Sequence, residues 1–136
     1  MTFTHRGEIV VAAPPAAVWR LWSDVASWPQ WDPPVEAVEL PGPFAAGAAG
    51  TLTLAGGIAA PVVLTVVEPG ARYVDELRLG ELVITIDHRV VEHPDGALVA
   101  VATTIEGPGA DDVGPMVTAD APRALEALAA MAVAAG

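Results

Sequence analysis

The chain has 136 residues and a mass of 13.9 kDa, 53% of them hydrophobic and 17% charged, which predicts one folded domain spanning 1–136 and excludes a disordered chain. Its six basic residues are all arginine and face 17 carboxylates, for a net charge of −11. No basic face can be assembled, so nucleic acid is excluded as a partner and stable association with an anionic membrane is disfavoured.

Taken in order, residues 3–12 read as a strand, β-branched at Ile9, Val10 and Val11 and closed by Pro14 and Pro15. A helix should start there, because proline is tolerated in a first helical turn. Val18, Leu21, Trp22 and Val25 fall on one helical face with Trp19 beside them. Asp24 or Ser27 is placed to cap a second short helical turn before Pro29. From residue 35 the pattern turns to strands: "VEAVEL", "GTLTLAG", "APVVLTVVEPG", "ARYVDELRLG", "ELVITIDHRVVEHPDG" and "ALVAVATTIEGPG", each bounded by a turn signal. Short strands joined by hairpin-length turns predict an antiparallel meander. From about Val113 to Ala135 the composition is helical, with Val117, Ala121, Leu125, Leu128 and Ala132 at three- and four-residue steps. Pro122 lies inside that stretch and should kink it. The apolar start breaks at two prolines and is too short for a secretory core, and "IAAPVVLTVV" is too short to span a bilayer, so a cytoplasmic location is expected.

The opening "VVAAPPAAVWRLWSDVASWPQWDPPV" resembles the N-terminal signature of the START-like (SRPBCC) superfamily of polyketide cyclases, dehydrases and lipid-transfer proteins: a strand, prolines, a "VW" helix, an aspartate and a W-P-x-W turn. "VVEPGARYVDELRL", "ITIDHRVVEHPDGALVAVATTIEGPG" and "ADAPRALEALAAMA" are similar to the family's fifth strand, its sixth and seventh strands and its C-terminal helix. The resemblance implies an α+β helix-grip fold. A curved antiparallel sheet of about seven strands would wrap a long C-terminal helix, with two short helices after the first strand and a cavity that holds an apolar ligand. It also places "GPGADDVGP", with Asp111 and Asp112, near the cavity mouth, where relatives are generally apolar.

Four of the seven aromatic residues are tryptophans within thirteen positions, Trp19, Trp22, Trp28 and Trp31. Helical spacing assigns Trp19 and Trp22 to packing against the sheet. Trp28 reads as a lid over the helix pair. By resemblance Trp31 points toward the cavity near the start of the second strand. In "ITIDHRVV" His88 shares strand parity with Ile84, Ile86 and Val90, opposite Asp87 and Arg89. An inward imidazole is either a hydrogen-bonded core residue or a ligand anchor and general acid. Tight-turn pairing would bring Val101, Thr103, Tyr73 and Asp75 to the same face, and Asp75 beside His88 would make a carboxylate and imidazole pair. A one-residue slip would substitute Glu76 and Thr104, and a surface position is expected for either acid.

With no cysteine, and with His5, His88 and His93 on separate segments, neither a metal site nor a cofactor is expected. Ser23 and Ser27 lie in no nucleophile elbow. The reading is a carrier of a small hydrophobic or aromatic molecule lined by Trp31, Tyr73, Ile84, Ile86, His88, Val101 and Thr103. The alternative is a cyclase or dehydratase on a polyketide-like substrate, with His88 and Asp75 moving a proton. A homodimer stays open as a further partnership.

Overall fold

A computed structural model describes residues 1–135. Strands β1 (Thr2–Val11), β2 (Val35–Glu39), β3 (Ala49–Leu54), β4 (Ile58–Glu68), β5 (Arg72–Leu79), β6 (Leu82–His93) and β7 (Gly96–Glu106) form one antiparallel sheet in the order β1-β7-β6-β5-β4-β3-β2. From β2 to β7 every neighbour in the sheet is a neighbour in sequence, as the hairpin-length turns predict; β1 closes onto β7. Register shifts between Leu64 and Val66 and between Val35 and Ala37 add local twist, which helps bend the sheet around one face.

Between β1 and β2 lie α1 (Pro15–Ser23), a 3-10 turn (Val25–Ser27) and α2 (Trp28–Trp31). Pro15 and Pro29 both occupy first-turn positions, where no backbone donor is needed. Neither Asp24 nor Ser27 caps a helix through its side chain. Instead the Ser27 hydroxyl is shared between the carbonyls of Leu21 and Asp24, at 2.8 and 2.7 Å, which ties α1 to the turn.

The C-terminal stretch departs from the expected single kinked helix. It forms α3 (Ala110–Val117) and α4 (Ala121–Ala135), separated by Thr118–Asp120. Pro122 therefore sits in the first turn of α4, where it starts the helix instead of bending it. Thr118 closes α3 by donating both its amide and its hydroxyl to the Gly114 carbonyl, at 3.0 and 2.9 Å. Gly114 itself is required by contact: a β-carbon there would fall on the Phe3 ring of β1.

Helix α4 packs on β1, α1 and α2, and α3 on β1 and β7. Its buried stripe is Leu125, Leu128 and Ala132, as the three- and four-residue spacing predicts, whereas Val117 is exposed. On the outer face of the sheet Arg72 and Arg89 both pair with Asp87, so the charged parity of β6 is the solvated one. Among the described residues no helix is long and apolar enough to cross a membrane.

Candidate ligand-binding site

The inner face of the sheet and the helices enclose a cavity of about 460 Å³, within the range of small-molecule sites. It persists because α4 presents small side chains over the sheet: Ala121 and Ala124 line it, and only Leu125 and Leu128 reach in from the same helix. Close packing would otherwise fill such a space.

Strand pairing determines what the sheet contributes. His88 lies opposite Tyr73 on β5 and Val101 on β7, and Ile86 lies opposite Asp75 and Thr103. The side chains of Trp31, Tyr73, Asp75, Ile84, Ile86, His88, Val101 and Thr103 all line the cavity. Asp75 is the acid on this face, and it is 3% exposed, contrary to the surface position expected from its charge. Glu76 and Thr104 belong to the opposite parity and are absent from the lining.

The tryptophans divide differently from the expectation. Trp19 is half-buried and outside the cavity, whereas Trp22, Trp28 and Trp31 are all buried and all line it. Trp28 donates its indole N–H to the Trp22 carbonyl at 2.9 Å, and Trp31 donates to the Ser27 hydroxyl at 3.2 Å. Tyr73 and His88 stack face to face, with ring centres 3.9 Å apart, and Trp22 meets both edge-on at 5.5 and 5.6 Å. The tryptophans thus form part of the wall while holding the stacked pair in place.

Four polar lining residues fell outside the sequence reading: His5, Asp32, Thr118 and Asp120. His5 was accessible to it, because Phe3, His5, Gly7, Ile9 and Val11 alternate with exposed neighbours along β1, and pairing sets His5 opposite Thr103. Asp32 follows the W-P-x-W helix directly, and only the return of the chain to the mouth brings it to the site. Asp120 is placed by the break between α3 and α4. Asp111 and Asp112 are exposed in the first turn of α3 and take no part in the lining; Met116, Val117 and Thr118 do.

The electrostatics follow from burial. Desolvation lowers the His88 imidazole to about 4, outweighing the opposing contact to the Tyr73 carbonyl, so the ring is neutral at physiological pH. Nδ1 lies 3.3 Å from that carbonyl and 3.8 Å from Asp75 Oδ1, so donation to the carbonyl leaves Nε2 as the basic nitrogen. Burial, helped by the Asp32 charge, raises Asp75 to about 7. Burial and Asp120 raise Asp32 to about 6. The 3.8 Å contact is therefore between an uncharged ring and a carboxyl near its midpoint, not an ion pair. Among the described residues the buried side-chain atoms without a hydrogen-bond partner are Asp75 Oδ1 and Trp22 Nε1, on two residues of this wall.

No curated protein matches the chain in sequence. In structure it is similar to protein MLL2253 from Mesorhizobium loti (TM-score 0.82, 16% identity, 95% of this chain and 96% of that one). It is also similar to the di-domain ARO/CYC BexL from the BE-7585A biosynthetic pathway (TM-score 0.78, 19% identity, 96% of this chain and 50% of that one). A third likeness is norcoclaurine synthase from Thalictrum flavum in complex with dopamine and hydroxybenzaldehyde (TM-score 0.74, 16% identity, 98% of this chain and 87% of that one). These share the helix-grip fold anticipated from the W-P-x-W signature. Residues 2–133 match the family model described as polyketide cyclase / dehydrase and lipid transport, and the chain belongs to that family.

Proposed function

We propose that the protein binds a small hydrophobic or aromatic molecule between the sheet and α4. The observation that carries this is the 460 Å³ cavity, walled by Trp22, Trp28, Trp31, Tyr73 and aliphatic side chains, with His88, Asp75 and Thr103 as the polar groups that the sheet's central strands turn inward. Affinity would come from buried apolar area and orientation from the polar groups. Membership of a family described by both cyclases and lipid transport supports the same reading.

A test uses the neutral fluorophore N-phenyl-1-naphthylamine. Saturable one-to-one binding is expected, weakened by His88→Ala and abolished by Ala124→Trp, which puts an indole into the cavity from the half-buried Ala124 of α4. Unaltered binding by a folded Ala124→Trp variant would place the ligand elsewhere and reject the proposal.

One observation favours a catalytic reading of the same cavity. Burial drives His88 and Asp75 apart, to about 4 and about 7, so that near neutral pH a partly protonated carboxyl lies beside a neutral imidazole. Pairs separated in this way suit acid and base roles. Asp75 would donate and His88 Nε2 accept a proton while the wall holds a polyketide-like substrate folded. Loss of turnover in His88→Gln with ligand binding retained would separate this reading from simple carriage.

A further inference from the structure

We infer that the cavity is selective for a cation, an aromatic or alkyl-aromatic amine, recognised by Asp75. This rests on the reading of the cavity as a ligand site and specifies the ligand's chemistry. The first observation is charge. The lining holds three carboxylates, Asp75 in the interior with Asp32 and Asp120, and no arginine; the chain has no lysine. The nitrogen bases that face the cavity are His5 and His88.

The second observation is independent of the first. Asp75 is 3% exposed, lines the cavity, and its Oδ1 has no hydrogen-bond partner among the described residues. An acceptor in that position calls for a donor. The nearest protein donor does not supply it: His88 Nδ1 is 3.3 Å from the Tyr73 carbonyl and 3.8 Å from Asp75 Oδ1. A bound ligand can supply that donor, and an ammonium gives both the hydrogen bond and the countercharge. The wall suits such a ligand, since Trp22, Trp28, Trp31 and Tyr73 line the space in which its aromatic ring would be buried. Trp22 Nε1, the other buried side-chain atom without a partner among the described residues, is a donor and fits a hydroxyl or ether oxygen on the same molecule. Asp32 and Asp120 extend the negative potential, which favours entry of cations over anions.

The experiment is isothermal calorimetry on the full chain at about pH 8, where Asp75 is ionised, with three probes that share one ring: 2-naphthylmethylamine, 2-naphthylmethanol and 2-naphthoate. The amine should bind about ten- to a hundredfold tighter than the alcohol, as expected for one charge-assisted hydrogen bond, with the naphthoate weakest. Asp75→Asn should remove the preference of amine over alcohol. Alcohol binding as tight as amine binding, or an unchanged preference in a folded Asp75→Asn variant, overturns this inference and leaves the cavity reading standing. Failure of all three probes to bind overturns both. The order of affinities in the unmodified protein decides the matter even if the variant does not fold.

Discussion

Replacing Asp75 with Asn should change how stability depends on pH. In the folded chain burial and the Asp32 charge hold this carboxyl at about 7, against an ordinary value of 3.8. A raised value means that the native state keeps a proton which the unfolded chain has already released. Across that window stability falls as pH rises, and above about pH 7 the loss is complete. Roughly three pH units at about 1.4 kcal/mol each give about 4 kcal/mol, a large share of a typical folding free energy. His88 works in the opposite direction, because burial lowers it from 6.5 to about 4: the native state has lost a proton that the unfolded chain retains, so its contribution rises with pH over that interval. Asp32, raised to about 6, adds a second falling contribution. The wild-type profile mixes all three, and the difference between variant and wild type reports Asp75 together with its coupling to Asp32. That difference should grow in favour of Asp75→Asn by about 4 kcal/mol from about pH 4 to about pH 7 and then stay level. Urea unfolding followed by tryptophan fluorescence in small pH steps measures it directly, since Trp22 and Trp28 are buried in the native state. A difference that stays constant with pH would show that the Asp75 carboxyl is not desolvated, and would remove the physical basis for its assigned role.

Two further substitutions probe the supports of the site. Gly114→Ala improves intrinsic helix propensity in α3 by about 1 kcal/mol, yet its β-carbon would fall on the Phe3 ring; a net loss of about 1–3 kcal/mol is expected in chemical denaturation, and a stabilised variant would show that Phe3 yields freely. Trp28→Phe deletes the 2.9 Å hydrogen bond to the Trp22 carbonyl and trims the ring stacked on Tyr73. It should lower unfolding free energy by about 1–3 kcal/mol, and unchanged stability would mean that the wall is held by other contacts.

The parts of the site that could be read from the sequence are those governed by period-two geometry. Once the turns at His93–Gly96 and Leu79–Leu82 fix the register, Tyr73, Asp75, His88, Val101 and Thr103 must share a face, whatever their chemistry. The burial of Asp75 does not follow from that rule, because a carboxylate in a strand is ordinarily a solvated residue; it depends on the layer of helices above it. The break between α3 and α4 is hidden for a related reason. A local rule allows Pro122 either to kink a helix or to begin one, and the outcome rests on how α3 seats Gly114 against Phe3 on β1, a contact spanning most of the chain. Asp120, which that break positions, is hidden along with it.

The tryptophans show why a choice between core and binding site misleads in a domain built around a cavity. Helical spacing correctly marks Trp22 as packing, and it is fully buried, yet it lines the cavity with an unpaired indole nitrogen. Where α4 carries small residues, the core ends before the fold's interior does, and the last layer of packed side chains becomes the wall of the cavity. The same rings that determine where α1 and α2 sit therefore also determine what the cavity can hold. Under the proposed reading, packing and recognition meet at Trp22, Trp28 and Tyr73, while discrimination by charge falls to Asp75.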